Sequence, residues 1–265
     1  MEHHPQSVHG EIFDARRTIE GRLVESYVLD EFAAERLKRR IQAALNVSGL
    51  PNIQRSALHH ELASLFGMQR KYQEAIQQLT LAKGLGMDPF AIAFTLSHVA
   101  LLNGHMLDSR STVENVWVEA TDKMRDLLAS HQAQAGMIGG FMAEGSVKAN
   151  AFKESIEAAR ILHRIGVDDI ELTKRLDTAC RVIQSKIQHP ILGYKLFAKD
   201  GEGILYRYVV KAPIDALIEL NKMILDALLE KHDGPLDQEL SICVAPWVPE
   251  DKPLLEEAYH VSLPQ

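Results

Sequence analysis

The sequence predicts a mainly α-helical fold, an antiparallel array of helical hairpins followed by a small ββαβ unit. Three observations carry that prediction. Apolar residues recur at helical spacing from near residue 11 to near residue 187. A helix and its exit turn are written twice, as RKYQEAIQQLTLAKGLGMDP at 70–89 and NAFKESIEAARILHRIGVDD at 150–169, which places Tyr72 over Phe152, Ile76 over Ile156, Gly86 over Gly166 and Asp88 over Asp168. After residue 190 the pattern changes, and two runs rich in Ile, Leu, Tyr, Phe and Val flank KDGEG, a hairpin signal. The expected organisation is N-terminal helices over 1–55, a helical-repeat region over 56–188 and an α/β unit over 189–265.

In chain order, DEFAAERLKRRIQAAL at 30–45 sets Phe32, Leu37, Ile41 and Leu45 close to one helix face with charges opposite. NVSGLPN then interrupts the pattern. Leu58, Leu62 and Phe66 at spacing four start another amphipathic helix, and GMQRKY turns the chain into the helix at 72–84. Gly86 can take the left-handed conformation that closes a helix. Asp88 and Pro89 have the chemistry of a cap and first residue for the next helix. Residues 89–107 lack Asp, Glu, Lys and Arg, but His98, Asn103, Gly104 and His105 interrupt them, so they read as a helix buried on several sides and not as a membrane span. Beyond the hairpin, Pro213 opens an amphipathic helix carrying Ile214, Leu217, Leu220, Ile224 and Leu228. ELSICVAPWV reads as a third strand, with AYHVSL a candidate fourth.

A step of thirty-four residues maps Leu62 to Leu96, Ala63 to Ser97, Tyr72 to Met106, Leu79 to Val113 and Ala82 to Val116, with Gly104 in the turn between helices. On those residues the chain resembles tetratricopeptide repeats, whose helix–turn–helix unit has this period. Two units cover 56–123 and, after twelve extra residues, a third covers 136–169, with YQEAI and FKESIE the best-fitting portions. The chain departs from the pattern at His59 and Ala93, where a bulky aromatic is usual, and in its displaced proline, Pro89. The resemblance implies a concave wall lined by the first helix of each unit. Residues implied to face it are His60, Ser64, Met68, Phe94, His98 and Leu101, a seat for a peptide or helix of a protein partner.

Composition narrows the alternatives. The 265 residues are 46% hydrophobic and 25% charged, ordinary for a globular protein. Residues 191–265 hold 7 Lys or Arg against 13 Asp or Glu, so most of the net charge of −7 lies there, which disfavours phosphate backbones at that end. Tyr206 and Tyr208 alternate with Arg207, so a strand puts the two rings on one face and the guanidinium on the other, not a base-stacking surface. The cationic run ERLKRR offers Arg36, Arg39 and Arg40 as a nucleic-acid contact, partly cancelled by Asp30, Glu31 and Glu35. Cys180 and Cys243 form no CxxC, so reduced, packed thiols in the cytoplasm are expected. HHELA is not HExxH, and His59 and His60 point two ways around a helix, so the pair does not converge on one ion, while His3 and His4 read as a flexible tail. No glycine-rich phosphate loop follows a strand, and the glycines of GMIGGFMAEG read as permitting close helix packing or a bend. No metal or cofactor is expected, and no catalytic motif is present. Three readings stand: an adaptor or regulatory protein, a regulator binding nucleic acid through its basic helix, and an enzyme with a site between the helical and α/β parts. The edges of the short sheet also offer a route to homo-oligomers.

Overall fold

The computed structural model describes residues 5–142, 152–234 and 236–249, and is mainly helical with a three-stranded sheet near the C-terminus. Helix α1, Pro5–Ser26, buries Ile12, Ile19 and Leu23, a stripe at spacings of seven and four. It ends at Tyr27, whose φ of 54° is left-handed. A non-glycine residue pays of order 1 kcal/mol or more there. Packing holds it, with the buried ring edge-on to His189 at 5.1 Å and beside Trp247 at 5.8 Å. The Asp30 carboxylate caps α2, Glu31–Leu45, by accepting from the Ala33 amide, and α2 buries Ala34, Leu37 and Ile41. Phe32, expected on that face, is 80% exposed, since it sits in the first turn on the side away from Leu37 and Ile41.

Two hairpins follow: α3, Asn52–Met68, with α4, Tyr72–Gly84, and α5, Pro89–Leu102, with α6, Met106–Trp117. Their inner corners coincide at the thirty-four-residue step. Met68 and Leu102 end the first helices, and Tyr72 and Met106 begin the second. Arg70 and Gly104 both take positive φ between them. The Arg70 side chain spans the corner, donating from Nε to Gln184 Oε1 at 2.7 Å and from a terminal nitrogen to the Ile187 carbonyl. The caps are as the sequence indicates: Gly86 has φ 93°, the Asp88 carboxylate accepts from the Ala91 amide, and Pro89 opens α5.

The next helix, α7, spans Asp122–Gln134, capped by Thr121. It lies mostly within the twelve residues that the repeat reading sets aside as an insertion. A unit over 136–169 begins instead with the Gly136 turn, φ 77°, and a 3-10 turn at Gly139–Met142. GMIGGF is therefore a turn whose Gly136 lets Leu172 and Leu176 approach to within about a methyl's reach. Gly145 lies outside the described residues. The echoed helix is α8, Lys153–Arg164, closed by Gly166 at φ 71°. The Asp168 carboxylate then caps α9, Asp169–Lys186, accepting from the Ile170 and Glu171 amides.

Strands β1, Tyr194–Lys199, and β2, Gly203–Val210, form the antiparallel hairpin around Gly201. Helix α10, Ile214–Lys231, and the short α11, Leu236–Glu239, lead to β3, Leu240–Pro246, which pairs parallel to β2 in the order β1-β2-β3. AYHVSL lies outside the described residues. Alternation is as expected: Tyr206 and Tyr208 are fully buried and Arg207 points to the opposite face. The inner face of the sheet packs on α8, α9 and α10. One core runs from Phe94 and Leu101 on α5 through Leu128, Leu172 and Leu176 to Tyr206, Tyr208 and Ile224, so the helical array and the sheet are built around the same interior.

Candidate interaction surfaces

The wall formed by α3 and α5 is covered by the chain itself. Helix α1 lies across it: Arg16 Nε donates to Glu61 Oε2 on α3 at 2.6 Å, and its terminal nitrogen donates to Glu20 at 2.7 Å. Helix α7 closes the far side, where the His131 ring sits 4.4 Å from Phe94 and 5.9 Å from His98. All six residues expected to face an open groove are consequently buried. His60 Nε2 is 2.6 Å from Thr95 Oγ1, and Ser64 Oγ donates to the His60 carbonyl at 3.3 Å. His98 Nε2 lies 4.0 Å from Glu20 Oε1. Met68 belongs to the α1–α3 core, and Phe94 and Leu101 to the larger one. The expectation of an exposed wall is corrected. Helix periodicity announces that these faces are covered, but not whether a partner or the chain's own α1 covers them.

What lies beneath α1 is a buried polar cluster. Burial acts to raise the Glu61 carboxyl, and the Arg16 guanidinium and His60 overcome it, holding the group down to about 2. Burial drives His98 well below the ordinary histidine range, with His131 and Arg16 adding to the effect. Burial alone lowers His131 to about 3. Neither ring nitrogen of His131 has a hydrogen-bond partner among the described residues, so this imidazole is neutral and packed as a flat apolar group. No group of three His, Cys, Asp or Glu side chains converges as a metal site among the described residues. His59 turns away from His60, as expected, and meets Gln78 at 2.8 Å. His3 and His4 lie outside the described residues.

The cationic run on α2 is largely neutralised. Lys38 and Arg39 both pair with Glu35, at 2.5 and 3.5 Å, and Arg40 pairs with Glu11, while Arg36 is exposed. The junction of helices and sheet is packed, not cleft. Tyr27, His189 and Trp247 fill it, and Lys211 Nζ lies 4.6 Å over the Trp247 ring while donating to the Ser26 carbonyl. His189 is fixed as a clasp, with Nδ1 donating to the Pro190 carbonyl at 2.7 Å and Nε2 accepting from the Lys211 amide at 3.1 Å. A shallow hollow beside it is bordered by Arg22, Glu25, Ser26, Val28 and Asp30, without a convergent acid–base pair. Cys180 is fully buried against Tyr208, and burial pushes its thiol far up.

The surface that stands out lies on α10. Leu217, Leu220 and Ile224 bury its inner face, as expected. A second apolar stripe, which the sequence reading did not separate from the first, faces outward: Ile214 is 64% exposed, Ile218 62%, Leu225 56% and Leu229 60%. At 100° per residue these four fall within a sector of about 60°. The signal was present in the sequence as an apolar arc too wide for one-sided burial. The helix is held rigidly beneath the stripe. Val244 of β3 donates its amide to Asn221 Oδ1 at 2.7 Å, and Asn221 Nδ2 donates to the Val244 carbonyl at 3.4 Å. No helix among the described residues is long and apolar enough to cross a membrane. Comparison with protein families, with curated proteins and with solved structures finds no match to this chain.

Proposed function

We propose that this chain is a protein–protein interaction module, an adaptor or regulatory protein of tetratricopeptide-like helical type, whose contact face is the outer stripe of α10 and not the helical wall. The observation that carries the reading is the run of four branched aliphatic side chains, each more than half exposed, over four turns of one helix. Contiguous apolar surface of this kind marks contact sites, and a helix face offering anchors at spacings of four and seven fits another amphipathic helix. The coincidence of the α3–α4 and α5–α6 corners at thirty-four residues supports the repeat reading. Two free cysteines, one fully buried, fit the reducing cytoplasm.

The test is affinity capture from cells with the intact chain, the α10 variant I218E/L225E and the basic-helix variant R39A, each checked for native circular dichroism. The expected result is a specific partner set, lost with I218E/L225E and kept with R39A. An identical set captured by all three proteins overturns the reading. Loss with R39A alone, abolished by moderate salt, favours the nucleic-acid alternative instead.

A further inference from the structure

We propose that α7 is an acid-released flap: when the imidazoles between it and α5 take up protons, it peels back from its N-terminal end to His131, ahead of any unfolding of the other helices. The device goes beyond the α10 contact face and does not depend on it. Its starting point is a buried histidine without a polar partner. The His131 residue is 1% exposed, its ring lies 4.4 Å from Phe94 and 5.9 Å from His98, and neither ring nitrogen has a hydrogen-bond partner among the described residues. A leucine would fill the same space without leaving two buried nitrogens unsatisfied. What an imidazole adds at such a position is a proton that only an open form can accept.

The fastening of α7 decides where the fold gives. Two bonds tie its C-terminal end: Thr173 Oγ1 donates to the Ala135 carbonyl at 2.8 Å, and the Tyr206 hydroxyl to the Ala133 carbonyl at 3.4 Å. At the other end residues 121–127 are exposed or half-buried. Arg125 there donates to the Trp117 carbonyl at 3.4 Å, within the turn that leads into α7, and pairs with its own helix's Asp122 at 3.8 Å. No ion pair among the described residues joins α7 to another helix. Between that loose end and His131, the fully buried apolar side chains to be given up are Leu128 and Ala129. Peeling this far costs much less than opening α3, α5 or α9, whose core residues run along their whole length, and it uncovers Phe94 and His98.

The charges around the two rings favour release in acid. From α1, Arg16 stands on the His98 side, and Glu20 Oε1 lies 4.0 Å from His98 Nε2 while also accepting from Arg16. From α3, Glu61 is engaged by Arg16, with His60 beside it. A proton on His98 in the closed form would therefore face Arg16 and, once His131 is charged, a second cation. Burial alone acts on His131, so neither α6 nor the core helices bring a charge to it. In the open form the His131 proton is solvated and the His98 proton faces Glu20. Both rings titrate near 6.5 when wet and stay neutral when covered. The opening constant consequently rises as pH falls below that value, about 8-fold per ring between pH 7.0 and 5.5 and ~70-fold for the pair.

The experiment is native-state amide hydrogen exchange of the full chain at pH 7.0 and 5.5, in a series of low, non-denaturing urea concentrations and corrected for the intrinsic pH dependence of exchange. Peptides of α3, α7 and α9 are followed. The expected result is that α7 exchanges through an opening with little urea dependence, distinct from that of α9, whose constant rises ~8- to 70-fold on acidification. His131→Leu should remove about 8-fold of that rise. An α7 that exchanges only with the urea dependence of α9 opens with the whole fold and overturns the proposal. So does a local opening whose constant moves less than about 3-fold between the two pH values. The unsubstituted chain decides both points without the variant. A rise that is undiminished in a folded His131→Leu protein also overturns it.

Discussion

Lowering the pH from 7.0 to 5.5 is expected to weaken this fold through two histidines that are held neutral in its interior. In the unfolded chain an imidazole titrates near pH 6.5. In the folded chain burial lowers His131 to about 3, and burial, His131 and Arg16 together hold His98 well below the ordinary range. Because the folded values are depressed, the unfolded state binds more protons below pH 6.5. Stability from these groups is therefore complete above that pH and falls as pH drops toward the folded values. Over this window each imidazole that stays neutral when folded costs roughly 1.2 kcal/mol, and the pair about 2.5 kcal/mol, a large part of a typical total of about 5–15. Glu61 does not confuse the window. Its folded value of about 2 is depressed, so its contribution is present above the ordinary carboxylate range and is lost only in stronger acid.

The assay is urea unfolding at the two pH values, followed by far-ultraviolet circular dichroism. The variant His131→Leu isolates one group. It removes an imidazole with no hydrogen-bond partner among the described residues, so stability at pH 7 should be unchanged or higher, and the loss on acidification should shrink by roughly 1.2 kcal/mol, while His105, His189 and His232, which burial also holds below the ordinary range, keep their own share. A wild-type difference under about 0.5 kcal/mol between the two pH values refutes the reasoning, as does a His131→Leu protein that keeps the full pH dependence.

Three further outcomes follow from the packing. Glu61→Gln should cost about 3 kcal/mol, because it leaves the buried Arg16 guanidinium short of its counter-charge, and R16M/E61L should recover most of that loss in the same denaturation assay. Gly104→Ala should lower stability by about 2 kcal/mol or more. Its φ of 72° disfavours a side chain, and a Cβ would come within 2.9 Å of Gln184 and 3.1 Å of the Cys180 carbonyl. Iodoacetamide should modify the half-buried Cys243 in the native protein and reach Cys180 only on unfolding, read by mass spectrometry as one label without denaturant and two with it.

Local chemistry was legible in the sequence where a single residue decides it. Gly86, Asp88 and Pro89 end one helix and start the next by backbone conformation and capping, and those forces act within a few residues. The Asp200–Gly201 turn, the alternation of Tyr206 and Tyr208, and the order of two strands, a helix and a strand are legible for the same reason. The wall was not. His60, Phe94 and His98 lie on faces that the sequence marks as covered, and only tertiary contact reveals α1 as the cover, through an Arg16–Glu61 pair separated by forty-five residues. The third unit begins elsewhere than the repeat spacing suggests because α7 carries a weak apolar pattern, with four charged residues in its first five positions, whereas the Gly-rich stretch after it resembles a helix only by composition. On α10 the wide arc of apolar residues hid two stripes with different destinations. Leu217, Leu220 and Ile224 join the core that α9 and the sheet share, and Ile218 and Leu225 meet solvent.

Whether the outer stripe of α10 is a contact face is tested most directly by photo-crosslinking in cells, with a photoreactive side chain placed at position 218, at position 225 or, as a control, at the exposed position 36 on α2. Specific adducts from positions 218 and 225 that position 36 does not give are the expected result. Adducts from position 36 alone, or none from the α10 positions, contradict it.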